Sequence, residues 1–218
     1  MPTASTFRSL TLLLTLTAPA CLKAQHQSPP PPLPPVHILP SQALAGKKVG
    51  VLPITLVVAD PAIQSDPIYD QYRDRRSGLN RTDSLISEAL VGRGPEVHWI
   101  LPPELRKMAR RAAGFVPDPD DMGQAVLRAP KLQDIPDPLR SSLRSLLAIA
   151  DGRLALVPAS LGFGPESDGQ IRADLSLVLA DARSGKVLWR SVALGRGKTP
   201  DEALSAAVAA VLPFSGGQ

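Results

Sequence analysis

Two rhythms of apolar residues run through this chain, one repeating every two residues and one about every 3.6, and their succession predicts its elements. Residues 47–58 are nearly continuously apolar, as in a strand covered on both faces. Pro53 lacks a ladder donor, so an edge, a bulge or a break is expected there. Residues 60–78 turn polar, carry Tyr69, Tyr72, Arg73, Arg75 and Arg76, and read as a loop or lid. A helix is expected over 83–91, capped by Thr82 and stopped by Gly92. A short strand at 96–101 leads into a helix over 103–113, ended by Gly114. Leu105, Met108, Ala109 and Ala112 share one face of that helix; Arg106, Lys107, Arg110 and Arg111 share the other. A short helix over 121–128 comes next, then one over 138–150 with Asp137 as its cap and Pro138 in its first position.

Beyond Gly152 the period changes to two. Strands are predicted over 153–163, 170–180 and 186–194, joined by turn-rich segments, so they form an antiparallel meander. In the middle strand Ile171, Ala173, Leu175, Leu177 and Leu179 face one way, and Arg172, Asp174 and Ser176 the other. Thr199, Pro200, Asp201 and Glu202 form a capping box for a last helix, whose stripe is Leu204, Val208, Val211 and Leu212. The sum is one small α+β domain over 46–213. Its mixed sheet combines the first strand, a short second strand and the three-stranded meander, packed by helices.

What precedes this domain is of a different kind. Residues 10–20 are an apolar run ending in Ala18-Pro19-Ala20, too short to span a bilayer and shaped like a signal-peptide core, so 1–20 is expected to be a signal peptide. Cys21, the sole cysteine, follows at once. Ala18-Pro19-Ala20 fits ordinary signal peptidase, and with Cys21 it also resembles a bacterial lipobox, although Pro19 and the absence of Leu at 18 depart from that pattern. Both enzymes cut the Ala20–Cys21 bond. Cys21 is then a lipid-attachment residue or a free thiol; with no partner it forms no intramolecular disulfide, and an exposed thiol in an oxidising compartment is a liability that acylation removes. Residues 21–45 are expected to be a disordered proline-rich tether, with 25–40 extended as polyproline II; a ligand for a proline-recognising module is the sharper alternative. Residues 214–218 are expected to be a disordered tail.

Composition narrows the function. Removing 1–20 takes away Arg8 and no acid, so the net charge falls from +4 to +3, too little and too dispersed for a nucleic-acid binder. Aromatic residues make up 4%, which disfavours stacking platforms for sugars or single strands.

The order of elements resembles the periplasmic α/β domains of envelope lipoproteins. These include the curli-secretion (CsgG-like) lipoproteins, the amino-terminal domain of TolB and lipoprotein activators of penicillin-binding proteins. The carrying residues are Val49-Gly50-Val51-Leu52-Pro53, Ala155-Leu156-Val157, and the hairpin from Leu177 through Asp181, Ser184 and Gly185 to Trp189. The resemblance covers 47–212 and implies an adaptor, with no catalytic residue to carry over. Leu22, rather than Asp, after the cysteine resembles the sorting of lipoproteins to the outer membrane of diderm bacteria.

The chemistry in the residues is thin. His26 and His37 lie in the tether. His98 stands beside Trp99 and near Glu96, a structural histidine or a base of an exported hydrolase. No histidine pair or second cysteine suggests a transition-metal site. Asp118-Pro119-Asp120-Asp121 lacks the spaced oxygens of a calcium loop and reads as helix capping. Gly162-Phe163-Gly164 and Gly195-Arg196-Gly197-Lys198 lack phosphate-loop spacing. The face of Arg106, Lys107, Arg110 and Arg111 is solvated, or meets anionic headgroups or an acidic envelope partner. Three functions follow: a non-enzymatic accessory or adaptor protein without cofactor or metal, anchored by lipid on Cys21 and contacting an envelope protein; a small-molecule binder; or a hydrolase. The small-molecule binder predicts one apolar pocket of several hundred Å³ with few polar groups; the adaptor predicts no pocket of that kind, and an exposed apolar patch or sheet edge instead.

Overall fold

The computed structural model describes residues 36–213. The signal segment, Cys21, His26, the proline-rich stretch as far as residue 35 and the tail at 214–218 lie outside the described residues. The elements are α1 (Ser41–Leu44), β1 (Lys48–Val51), β2 (Val57–Ala59), α2 (Pro61–Gln64), α3 (Asp70–Arg73), α4 (Arg75–Arg93), β3 (His98–Ile100), α5 (Pro102–Arg111), α6 (Leu139–Ile149), β4 (Leu154–Pro165), β5 (Ile171–Asp181), β6 (Lys186–Gly197) and α7 (Pro200–Val211), with 3₁₀ turns at Pro67–Tyr69 and Gln124–Arg128.

One open mixed sheet of six strands runs in the order β3-β1-β4-β5-β6, with β2 also on β4. β1 is parallel to both neighbours, pairing Val49 with Trp99 on one side and Gly50 with Ala155 on the other. β4, β5 and β6 form the antiparallel meander. The apolar run at 47–58 is interrupted beyond Leu52, as Pro53 predicts. There the Ile54 N–H leaves the ladder and donates to Asp83 Oδ1 at 2.8 Å.

Helices cover both faces of the sheet. On one, Ile86 and Leu90 of α4 and Leu204 and Val208 of α7 pack with Leu175, Leu177 and Leu179. On the other, Leu105 of α5 and Leu139, Leu143 and Leu146 of α6 pack with Val157, Val178 and Ala180. The close approach of α7 to β6 explains the glycines at 195 and 197: a Cβ on Gly195 would lie 2.0 Å from the Ala203 carbonyl oxygen and 2.2 Å from the Ala207 nitrogen. These glycines are packing residues, not a phosphate loop. The capping box forms: Thr199 accepts from the Glu202 N–H, and the Glu202 carboxylate accepts from the Lys198 N–H.

The structure corrects four expectations. Residues 60–78 are not a loop or lid but short helical turns, whose Tyr69 and Tyr72 are buried beside Phe163 with ring centroids 6.0 and 5.2 Å from it. The helix expected at 83–91 begins at Arg75, capped by Asp74 through the Ser77 N–H, and ends at Arg93. Its first half buries Gly78, Thr82 and Asp83, so no apolar stripe announces it. Residues 36–45 are packed rather than tethering: Leu39 and Leu44 are buried, and the Leu39 N–H donates to the Val211 carbonyl. Asp137 caps no backbone N–H; its carboxylate accepts from the Ser141 hydroxyl.

Candidate functional site

Both ends of the parallel strands carry a cavity, and the two differ in chemistry. At the carboxyl end of β1, the segment after Pro53, α4, α5 and the 118–124 loop meet around an ion network. Arg106 of α5 donates through Nε and Nη2 to Asp120 at 2.8 and 2.7 Å, and through Nη2 to Asp83 at 2.7 Å. Asp83 is 5% exposed. Burial pushes its carboxyl up to about 6, against the opposing pull of the Ile54 N–H and the Arg106 guanidinium. Arg106 is held firmly protonated by Asp120 first and by Asp83 as well. Gln124, fully buried, donates from its amide nitrogen to the Pro53 and Pro119 carbonyls at 2.9 Å each, tying the loop to the end of β1. Over this scaffold lies a cleft of about 590 Å³ lined by Thr55, Asn80, four arginines (75, 76, 106 and 110) and three aspartates (118, 120 and 121) among others.

The basic helical face is thus divided. Arg106 is drawn into the internal network, Arg110 lines the cleft, and Lys107 and Arg111 are exposed and belong to neither. Asp118 does not cap a helix: it accepts from the Asp120 N–H, while Asp120 pairs with Arg106. No group of three or more potential metal ligands occurs among the described residues. His98 is exposed on edge strand β3, in a groove whose lining contains no Ser, Thr or Cys among the described residues; nothing there can serve as a hydroxyl or thiol nucleophile.

At the amino end of the same strands lies an open groove of about 890 Å³. Its floor is apolar: Leu44 of α1, Leu154 of β4, Leu179 of β5, and Leu188 and Trp189 of β6. Leu188 is 53% exposed. Charges stand at its rim as ion pairs, Lys48 with Asp151 at 2.7 Å and Arg153 with Asp181. Arg153 holds the Asp181 carboxyl down to about 2. The groove lies beside β6, the far edge of the sheet. The Trp189 indole N–H is already used, donating to the Ile38 carbonyl at 3.0 Å. Periodicity alone does not reveal this groove. Leu188 breaks the two-residue alternation where β6 bulges against β5, between Leu179 and Ala180, and that irregularity is the one signal the sequence holds.

No protein-family model matches the chain, and no curated protein is significantly similar to it. Among solved structures it is similar to the LpoB C-terminal domain from Salmonella enterica, at TM-score 0.40 and 13% identity over 71% of this chain and 84% of that one. It is similar to a PelC dodecamer subunit from Paraburkholderia phytofirmans, at 0.40 and 13% over 85% and 97%. It is also similar to lipoprotein GNA1162 from Neisseria meningitidis, at 0.33 and 16% over 69% and 80%. Likenesses this remote assign no role to any residue of the chain.

Proposed function

We propose that this protein is an exported bacterial envelope lipoprotein, cut at Ala20–Cys21, lipidated on Cys21 and held at the periplasmic face of the outer membrane. It acts without catalysis, as an accessory or assembly factor that contacts another envelope protein. The carrying observation is the apolar groove at the β6 edge, where Leu188 stays largely exposed between charged rims. Apolar surface that the fold itself leaves uncovered gains by burial against a partner, ~25 cal/mol per Å². Basic residues Lys107, Arg110 and Arg111 offer a second, electrostatic contact for an acidic partner. The finer resemblance to CsgG-like and TolB amino-terminal domains belongs to this reading and rests on element order and the 177–189 hairpin.

Two experiments test it. Metabolic labelling with a fatty-acid analogue should mark the wild type and not Cys21→Ser; equal labelling refutes the anchor. A photocrosslinking residue at Leu188 in cells should yield one discrete protein adduct, and a triple substitution of Lys107, Arg110 and Arg111 should lower its yield; no adduct refutes the groove contact, and an undiminished yield refutes the electrostatic one. The groove's volume of about 890 Å³ runs against the adaptor's expectation of no such pocket and supports a second reading, a small-molecule site, since such pockets span ~300–1,000 Å³. Native mass spectrometry separates the two: a retained small ligand lost in Leu188→Glu, with no protein adduct, favours the binder.

A further inference from the structure

The cleft at the carboxyl end of β1 is a second site, independent of what docks at the amino-end groove. We infer that it binds a short zwitterionic peptide, holding the carboxylate on α4 and α5 and the ammonium on the 118–121 loop. Three observations lead there. The first is position. β1 and β3 are parallel neighbours, and the chain leaves β1 towards α4 on one face of the sheet and leaves β3 for α5 on the other, so the two connections diverge and open a crevice at the carboxyl ends, the place where open α/β sheets receive ligands.

The second is a scaffold built ahead of any ligand. Asp83 and Asp120 clamp Arg106, Gln124 ties the loop to Pro53, and Arg75 donates to the Thr55 carbonyl at 3.2 Å. Those groups are committed to the protein itself. The third is what remains uncommitted. The side chains of Arg76 and Arg110 line the cleft and make no hydrogen bond or close ion pair among the described residues, and neither does the Asp121 carboxylate. The uncommitted groups therefore carry both signs, guanidinium forks on the helices and a carboxylate on the loop.

A carboxylate fits a guanidinium fork through paired, charge-assisted hydrogen bonds. A phosphate dianion fits the forks too, but it would face Asp118 and Asp121 across the same cleft. A ligand that brings its own cation satisfies both walls. The Asn80 side-chain amide, also at the wall, is suited to the peptide bond between the two charges.

The test is a titration of the isotope-labelled full chain, followed by amide NMR shifts. The probes are alanyl-alanine in either stereochemical form, its acetylated and amidated neutral counterpart, and inorganic phosphate. Saturable shifts at Asn80, Arg110 and Asp121 are expected with the zwitterion and not with the neutral form. Affinity should fall at least tenfold in the Arg76→Gln, Arg110→Gln double variant and several-fold in Asp121→Asn. These side chains carry no internal bond, so the melting temperature should stay at the wild-type value, which separates lost binding from lost folding. Absence of saturation, persistence of binding in the double variant, or phosphate binding as tight as the dipeptide and indifferent to Asp121→Asn would each overturn the inference. The dipeptide titration and the Leu188 crosslink are separate readouts, and Asp121→Asn, which alters this site alone, should leave the crosslink unchanged, so the site and the proposed partner contact succeed or fail separately.

Discussion

Alanine in place of glycine should have opposite effects at two positions of this fold. A Cβ at residue 195 meets the Ala203 carbonyl oxygen at 2.0 Å and the Ala207 nitrogen at 2.2 Å, both backbone atoms of α7 that no rotamer change can move aside. Relief requires α7 to lift from the sheet. That helix buries Ala203, Leu204, Ala207, Val208 and Val211, and a radial gap of 0.5–1 Å already forfeits about a quarter to a half of each contact. Overpacking of this kind costs roughly 3 kcal/mol or more. For a domain of this size each kcal/mol moves the melting temperature by about 2–4 °C, so Gly195→Ala should melt roughly 6–12 °C lower. Gly92, near the end of α4, has nothing within 4 Å of the point a Cβ would occupy, and it lies in helical backbone. There alanine restricts the unfolded chain and improves helix propensity, worth up to ~1 kcal/mol, so Gly92→Ala should melt a few degrees higher. Calorimetry or circular dichroism on the full chain reads both. A Gly195→Ala melt within about 2 °C of wild type, the shift expected from less than one kcal/mol, would refute the packing argument. So would a drop for Gly92→Ala of the same size as that for Gly195→Ala.

Acid should act through two aspartates in opposite directions. The Asp83 carboxyl sits above its unfolded value, so the fold favours its protonated form; its contribution is fully present below about pH 4 and declines as pH rises through 6, by at most ~3 kcal/mol. Asp83→Asn should flatten the stability–pH curve in that window, as read by urea denaturation; an unchanged slope refutes it. The Asp181 carboxyl sits below its unfolded value, so its contribution is present above about pH 4 and is lost as pH falls towards 2; Arg153→Gln should reduce that loss without abolishing it, because the Arg183 and Ser184 N–H groups still donate to the carboxylate. Tyr72→Phe deletes the hydroxyl that donates to Asp201 Oδ1 at 2.7 Å and should cost ~1–2 kcal/mol in chemical denaturation, since Arg81 still pairs with Asp201. Arg190→Lys should speed hydrogen exchange across 127–135, because one guanidinium serves the Leu127, Ala129 and Leu132 carbonyls and an ammonium cannot reproduce that fork.

The meander and the last helix are legible in the sequence because their signals are local. The alternation from Ile171 to Leu179 marks a strand face within one element, and Thr199, Pro200 and Glu202 close a helix start within four residues. The α+β class with its mixed sheet follows from the order of such elements. The first half of α4 is illegible because its buried face is Gly78, Thr82 and Asp83, which no apolar period contains. Tyr69 and Tyr72 read as loop aromatics until Phe163, far along the chain, is placed beside them.

The same division runs through the sites. The four basic residues of α5 are visible as a helical face, since a 3.6-residue period decides which side chains share a side. That Arg106 belongs to Asp83 and Asp120 while Arg110 faces a cleft depends on elements 23 and 14 residues away in the chain. The apolar groove likewise draws Leu44, Leu154 and Leu188 from separate parts of the sequence. Periodicity and capping act over a few residues, so the chain by itself determines its elements and their inner faces. Which charge is desolvated and which apolar side chain stays bare depends on what packs over it, and only the tertiary structure decides that.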